Sequence, residues 1–486
     1  MLRKLAPFRH AKIVCTLGPA TFSRSAIEEL MLKGMDIARL NFSHGDYRIY
    51  QRVIDAVRKS SRKLGKPVTI IQDLQGPKIR TGELIGKQVF LEEGQRIRIT
   101  TRKMLGNGKM FSIPYASFPQ WLRKGNLILI DDGLIELRVL KIEKGIVACR
   151  VVAGGMLHEH KGVNLPYVKI RGEPLTLKDK RDLAFGIRHG VDFVAMSFVC
   201  DPNDIRELKK RIPKSSSIGV IAKIEKPEAI DKFDEILAIS DAIMIARGDL
   251  AVESSTEVVP CLQKEIIQKC HRAMKPVITA TQMLDSMVSH PRPTRAEASD
   301  VANAVLDGSD ALMLSAETAS GHYPFQSVAM MDKIIREVEH HHRFLKEGSV
   351  MAPHLGIKPL PLPKERDPIS GVIERAACQI ADGIDARLIC CLTETGRSAV
   401  YLSHARPRQP IVALTHQQRT LKRLSLVWGV HCFYIQDMVR NAKIFNRVRK
   451  RLLELRVVKS GDRIVVTTGV FTHSPNTTRI TKVHQI

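Results

Sequence analysis

Through the first two thirds of the chain, apolar and polar positions alternate in a repeating rhythm. Short runs rich in Val, Ile and Ala, of strand length, are separated by longer amphipathic stretches of helix length. The runs are "AKIVCTLG", "MDIARLNFS", "VTIIQDLQG", "VDFVAMSFV", "IGVIAKIE", "DAIMIARGD", "KPVITATQM" and "DALMLSAET". Apolar runs of this kind fit parallel strands covered on both faces, and stretches such as "SRSAIEELMLKG" fit the crossover helices. Eight such units predict an α/β fold, a closed (βα)8 TIM barrel in preference to an open doubly wound sheet. In such a barrel the active site lies at the carboxyl ends of the strands.

One gap breaks the rhythm. Between "VTIIQDLQGPKIRTGE" and "TLKDKRDLAFGIRHG" no long helix is predicted. Instead apolar and polar residues alternate between glycine turns, as in "KQVFLEEGQRIRIT" and "KGNLILIDDGLIELRVLKIEKGIVACRVV". This period of two reads as short antiparallel strands, and the segment is too long for an ordinary loop. A small β-barrel-like domain over residues 77–173 is therefore expected, inserted at the barrel mouth where it can act as a lid. Barrel sequence flanks it at 1–76 and 174–352. A proline-rich linker, "LGIKPLPLPKERDP", then introduces a further α/β unit at 353–486, with strands "DARLICCLTETGRSA", "QPIVALTH", "GVHCFYI" and "DRIVVTTG".

Composition narrows the function class only in part. With 486 residues, 44% of them hydrophobic, the chain can bury several cores, and global disorder is not expected. No apolar run is long enough to span a membrane, and the basic start passes into a strand without the pattern of a signal peptide. Nine cysteines without a C-x-x-C pair fit reduced thiols in a cytoplasmic protein. The formal net charge of +26 attracts phosphates, nucleic acids or acidic membranes without choosing among them. The basic runs "RELKKRIPK" and "NRVRKRLLELR" have only aliphatic neighbours and lack aromatic stacking partners. They read as solvated helix faces; a basic nucleic-acid-binding protein on a barrel scaffold is the rival reading.

The chemistry gathers at the strand ends. Glu225 and Asp249 close the fifth and sixth runs, side by side in a barrel, and such a carboxylate pair suits Mg2+ or Mn2+. Lys223, two residues before Glu225, offers a compact positive charge to a transferring phosphoryl group or a developing enolate. Gly248 lets the backbone approach a ligand. The second run ends with Arg39, Asn41, Ser43 and His44; the third ends with Asp73 and is followed by Lys78 and Arg80; the seventh ends at Thr281. Arg39 and Arg80 can each grip phosphate oxygens through the guanidinium fork. A cationic, hydroxyl-rich rim around a divalent metal is what phosphoryl transfer needs.

The same stretches carry a resemblance. "AKIVCTLGPA", "ARLNFSHG", "DLQGPKIRTG", "AKIEKPEA", "IARGDLAVE", "TATQMLDSM" and "PRPTRAEASDVANAVLDGSDALMLSAETA" together resemble the pyruvate kinase family across essentially the whole chain. The resemblance implies a barrel with a lid inserted after the third strand and a C-terminal effector domain. It implies phosphoryl transfer from phosphoenolpyruvate to ADP in glycolysis, and a homotetramer without nucleic acid or membrane partners. Glu225 and Asp249 are then the metal ligands, Lys223 stabilises the phosphoryl group in flight, Arg39 holds it, and Thr281 lies beside the enolate carbon. The backbone around Gly248 and Asp249 meets the substrate carboxylate, while Asn41, His44 and Arg80 face the nucleotide.

Two regions depart from the family. Many members read "DTKGPEIR" where this chain has "DLQGPKIR". The family's monovalent-cation region corresponds to Asn41, Ser43, Asp73 and the carbonyl of Leu74, and the glutamate that goes with its K+ requirement is here Lys78. A lysine ammonium can stand in for K+, so K+ independence is expected. In the last domain, "TETGRSA" resembles the family's effector phosphate loop, with Thr393, Thr395, Gly396, Arg397 and Ser398 as the anion cradle. The loop "TGVFTHSPNTTR" lacks the tryptophan and glycine pattern of animal members, so AMP or a sugar phosphate is the expected effector.

Overall fold

The structure, a computed structural model, describes residues 8–43, 45–166, 168, 173–348, 368–436, 443–469 and 480–486. Eight parallel strands close into a barrel: Lys12–Leu17, Ile37–Asn41, Thr69–Asp73, Phe193–Met196, Gly219–Ile224, Ala242–Ala246, Val277–Ala280 and Ala311–Leu314. They follow one another around the barrel in chain order, and the last pairs with the first through Lys12–Ala311 to Cys15–Leu314. Seven of the eight are buried at every position and the eighth at all but its last residue, Asn41, because helices cover the outside while side chains fill the inside.

Local signals explain where the covering helices begin and end. Asp46 caps Tyr47–Leu64 by accepting from the Arg48 amide, Gly65 ends it in the left-handed region, and Tyr50, Val53, Ile54 and Val57 form its buried stripe. Thr176 and Asp179 form a reciprocal capping box at the start of Leu177–His189, the first helix after the insertion. Asp179 Oδ1 also accepts from the Gly76 amide at 3.1 Å, which ties that helix to the point where the chain leaves the third strand.

Between the third and fourth barrel strands lies a separate β domain with its own core, centred on Ile97, Ile99, Phe111, Phe118, Leu137 and Val147. It has a six-stranded curled sheet and a two-stranded sheet, the latter pairing Gln88–Leu91 with Gly155–His158. The C-terminal domain is a five-stranded sheet in the order Val430–Tyr434, Ile411–Thr415, Leu388–Leu392, Arg463–Thr468, Ile480–Gln485. Its first four strands are parallel and the last is antiparallel. Nearly all of the linker "LGIKPLPLPKERDP" and most of "TGVFTHSPNTTR" fall outside the described residues. No helix among the described residues is long and apolar enough to cross a membrane, and all nine cysteines are free thiols.

Candidate active site

Lys223, next to last in the fifth barrel strand, is the hub of the rim. Its Nζ lies 2.9 Å from Glu225 Oε1 and 3.2 Å from Asp73 Oδ1, and it donates to Ser197 Oγ at 2.7 Å. Arg39, on the second strand, donates from Nε to the other oxygen of Asp73 at 2.7 Å and from Nη1 to Thr16 Oγ1 at 2.9 Å. Asp73 is thus the shared counter-ion of two cations drawn from different strands. Burial pushes its carboxyl up, but Lys223 and Arg39 outweigh that and hold it below the usual range. Burial would likewise strip the Lys223 proton; the charges of Asp73 and Glu225 overrule it and hold the ammonium above the ordinary lysine range.

Glu225 is one residue past its strand, and Asp249 sits in the first turn of the helix Arg247–Glu253 rather than at the end of the sixth strand. Burial raises the Glu225 carboxyl; Lys223 opposes that shift and the nearby charge of Asp249 adds to it. The Phe198 amide donates to Glu225 Oε2 at 2.7 Å and fixes its rotamer. Two adjacent carboxylates, one deeply buried and repelled by the other, form a site that a divalent cation would stabilise. Among the described residues no group of three or more His, Cys, Asp or Glu side chains could hold a metal. Mg2+ and Mn2+ keep several water or substrate oxygens, so two carboxylates are enough to anchor one.

Thr281 follows the seventh strand in left-handed backbone, at φ 70°, and Gln282 follows at 52°. For a β-branched residue this conformation stores about 1–3 kcal/mol, a strain that concentrates at functional sites. The Thr281 hydroxyl donates to the Ala280 carbonyl at 2.6 Å and accepts from the Gly248 amide at 2.8 Å. The Gly248 N–H is thus engaged by Thr281 in this structure. Arg247, the charge that ends the apolar sixth strand, pairs with Asp300 at 2.8 Å and donates to the Thr281 carbonyl at 2.7 Å. It is a brace for the Thr281 turn.

The remaining expected residues divide. Asn41 Oδ1 accepts from the Ser43 amide at 3.2 Å, and Asp73 stands between Arg39 and Lys223. The Leu74 side chain packs in the barrel's outer core while its carbonyl accepts from Ser197 Oγ at 2.8 Å. Lys78 is half-buried, its stem close to Gly162, and its ammonium makes no ion pair among the described residues. Arg80 donates to the His160 carbonyl of the inserted domain at 2.9 Å. His44 lies outside the described residues. In the last domain the Gly396 amide donates to Thr393 Oγ1 at 2.9 Å, and Gly396, at φ 88°, turns the chain into the helix Arg397–His404 that also carries Ser398; Thr395 is the exposed residue just before that turn. Only glycine enters that left-handed turn without strain.

Ser197, Thr16 and the backbone of Phe198 are working parts of the rim that the sequence reading missed. They sit at strand ends like the others, but a lone Ser or Thr and a main-chain amide carry no charge signature.

A barrel whose rim joins a buried lysine, an arginine and a carboxylate pair, with a β domain inserted after the third strand, fits a phosphotransferase. Residues 8–328 match the family described as "Pyruvate kinase, barrel domain" and residues 372–484 match "Pyruvate kinase, alpha/beta domain". The chain belongs to the pyruvate kinase family. It is 40% identical to a pyruvate kinase of Sporosarcina psychrophila over 482 residues, covering 98% of this chain and 80% of the relative. It is 42% identical to one from Mycobacterium tuberculosis, covering 98% of both chains. The crystal structure of a pyruvate kinase from Cryptosporidium parvum superposes with a TM-score of 0.87 at 35% identity, covering 98% of this chain and 96% of that one. None of these matches supports the nucleic-acid-binding alternative.

Proposed function

We propose that the protein moves the phosphoryl group of phosphoenolpyruvate to ADP, giving pyruvate and ATP as a step of glycolysis in the cytoplasm. The observation that carries this reading is the Lys223 ammonium, held by Asp73 and Glu225 at 3.2 and 2.9 Å beside the anchored Arg39 guanidinium. The Lys223 ammonium is held in its charged form, and both cations are positioned before substrate arrives, which is the electrostatic preorganisation that phosphoryl transfer requires. As the bond between the enol oxygen and phosphorus breaks and the bond to the nucleotide oxygen forms, Lys223 faces the charge on the phosphoryl group and Arg39 fixes its oxygens. Glu225 and Asp249 would hold a Mg2+ or Mn2+ ion, which when bound would supply Lewis-acid stabilisation of developing negative charge. Asn41 and Arg80 line the nucleotide side, and the backbone from Ala246 to Asp249 meets the substrate carboxylate.

The proton on the enolate carbon arrives by a water relay at Thr281. That hydroxyl already donates to Ala280, so it orders the relay instead of acting as a free acid. The division into barrel at 1–76 and 174–352, lid at 77–173 and regulatory domain from 353 goes with this reading. So do a homotetramer and a phosphorylated effector, AMP or a sugar phosphate, in the cradle of Thr393, Thr395, Gly396, Arg397 and Ser398.

K+ is not required in this reading, because Lys78 replaces an acidic residue and brings an uncommitted ammonium to the edge of the site. The test is pyruvate release from phosphoenolpyruvate, ADP and Mg2+ in buffer free of Na+ and K+, then with K+ added. Turnover before K+ supports both the reaction and the role of Lys78, and Lys78→Glu is then expected to need K+. Turnover only after K+ keeps the reaction and removes the Lys78 role; silence in both removes the reaction.

A further inference from the structure

Two charges lie almost fully buried just behind the carboxylate pair. Lys226, the residue after Glu225, and Glu253, the last residue of the helix that carries Asp249, have side chains only 6% and 2% exposed and meet at 3.0 Å. Burying an ion pair is costly unless its remaining oxygens are satisfied. The second oxygen of Glu253 is satisfied from another domain: Asn164 Nδ2 donates to Glu253 Oε1 at 2.8 Å. A carboxylate only accepts, so the amide nitrogen must be the group that faces it.

Asn164 belongs to the inserted β domain. It lies in the short strand Val163–Asn164, opposite Leu129 of the curled sheet, and the Val163 amide donates to the Ile79 carbonyl at 3.0 Å. Arg80 pairs with Gly162 in the same place. The segment that enters the inserted domain and the one that leaves it are thus stitched together immediately beside Asn164. Asn164 therefore sits where the inserted domain joins the barrel and touches Glu253 directly.

Glu253 in turn connects to both halves of the carboxylate pair. It ends the seven-residue helix that carries Gly248 and Asp249. Its ion pair reaches Lys226, the residue bonded directly to Glu225. We propose that Asn164 is a positioning residue, a latch that transmits the posture of the lid to the Glu225–Asp249 pair, so that closure over the nucleotide and formation of the metal site are one event. This rests on the reading of Glu225 and Asp249 as metal ligands given above.

The test uses full-length protein and Mn2+ as the probe, with free Mn2+ counted by electron paramagnetic resonance. Partners that orient ligand groups change metal affinity by about tenfold or more when removed. Asn164→Ala is therefore expected to weaken Mn2+ binding by about tenfold, to raise KM for ADP, and to change kcat less. Asn164→Asp, which sets a like charge against Glu253, is expected to weaken it further. In a Glu253→Gln background, Asn164→Ala is expected to add nothing, since the latch acts through that carboxylate.

Unchanged Mn2+ affinity in Asn164→Ala overturns the proposal, as does an effect of equal size in the Glu253→Gln background. If Asn164→Ala does not fold, Asn164→Ser, which keeps a donor, takes its place; failure of both overturns the latch in favour of a purely structural role. Absence of pyruvate from the unaltered protein removes the assigned reaction, while the Mn2+ titration still reports on the latch.

Discussion

Lys223 shows how much of the site rests on single side chains. Its ammonium neutralises Asp73 and Glu225, while Arg39 shares Asp73. Lys223→Met keeps the stem and removes the charge. It is expected to lower kcat by about 100- to 1000-fold, the scale seen when one preorganised electrostatic contact is lost, with KM for phosphoenolpyruvate moving less. The change also leaves two buried carboxylates short of a cation, at a cost of about 3 kcal/mol. Urea unfolding must therefore accompany the kinetics, and a folded variant with undiminished kcat would remove Lys223 from the reaction. The residues legible in the sequence were those whose charge stands out against an apolar run: Arg39, Asp73, Lys223, Glu225 and Asp249. Arg247 stood out equally and proved to be a brace for Thr281, because charge at a strand end announces a polar partner without saying which. Lys226 and Glu253 sat in plain view in "AKIEKPEA" and "IARGDLAVE", but their pairing depends on how far a seven-residue helix reaches.

Among the elements, the eight barrel strands were readable because burial on both faces forces continuous apolar runs, and the inserted domain because half-buried strands alternate. The short helix Gln418–Arg423 and the turn Leu424–Leu426 were not, since five basic or polar residues around one leucine, followed by a 3-10 turn, carry no period. Their position is nonetheless central to the fold. Leu426 is fully buried among Val14, Ile37, Ile71, Phe193 and Ile221, the side chains that fill the barrel interior. On the other side of the same element, Thr420 Oγ1 donates to the Glu394 carbonyl at 2.5 Å, inside the loop read as the phosphate cradle. One small element therefore closes the floor of the barrel and supports the expected effector loop. Leu426→Ala is expected to cost about 3 kcal/mol, the middle of the range for such core truncations, seen as a lower urea midpoint with kcat at saturating substrate nearly unchanged. A loss below about 1 kcal/mol would mean that the floor relaxes around the gap and that Leu426 is no plug.

At the scale of the molecule, the C-terminal domain is joined to the amino-terminal end of the barrel through buried polar contacts. Lys12 donates to the Val430 carbonyl at 2.6 Å, and Arg406 meets Asp310 at 3.0 Å while lying 4.5 Å from the ring of Trp428. His271, on the barrel side, has its Nε2 2.6 Å from Arg406 Nη2. Burial, with the guanidinium charge second, lowers the His271 pKa to about 3, so the ring is neutral in the folded protein near pH 7. In the unfolded chain the same ring takes its proton at about 6.5. Between those values the unfolded state binds the extra proton, so stability falls as pH falls, by about 1.4 kcal/mol per unit below 6.5. Asp310 acts in the opposite sense: burial raises its carboxyl, so the folded state takes up that proton first on acidification. A pH series on the unaltered protein alone would mix the two. Comparison with His271→Gln separates them, because Asp310 is present in both proteins. The unaltered protein is expected to lose about 2 kcal/mol relative to the variant between pH 7 and pH 5, read from urea midpoints. A stability difference that stays constant over that interval would mean that His271 takes up its proton over the same pH range folded and unfolded, and that the seam does not hold the ring neutral.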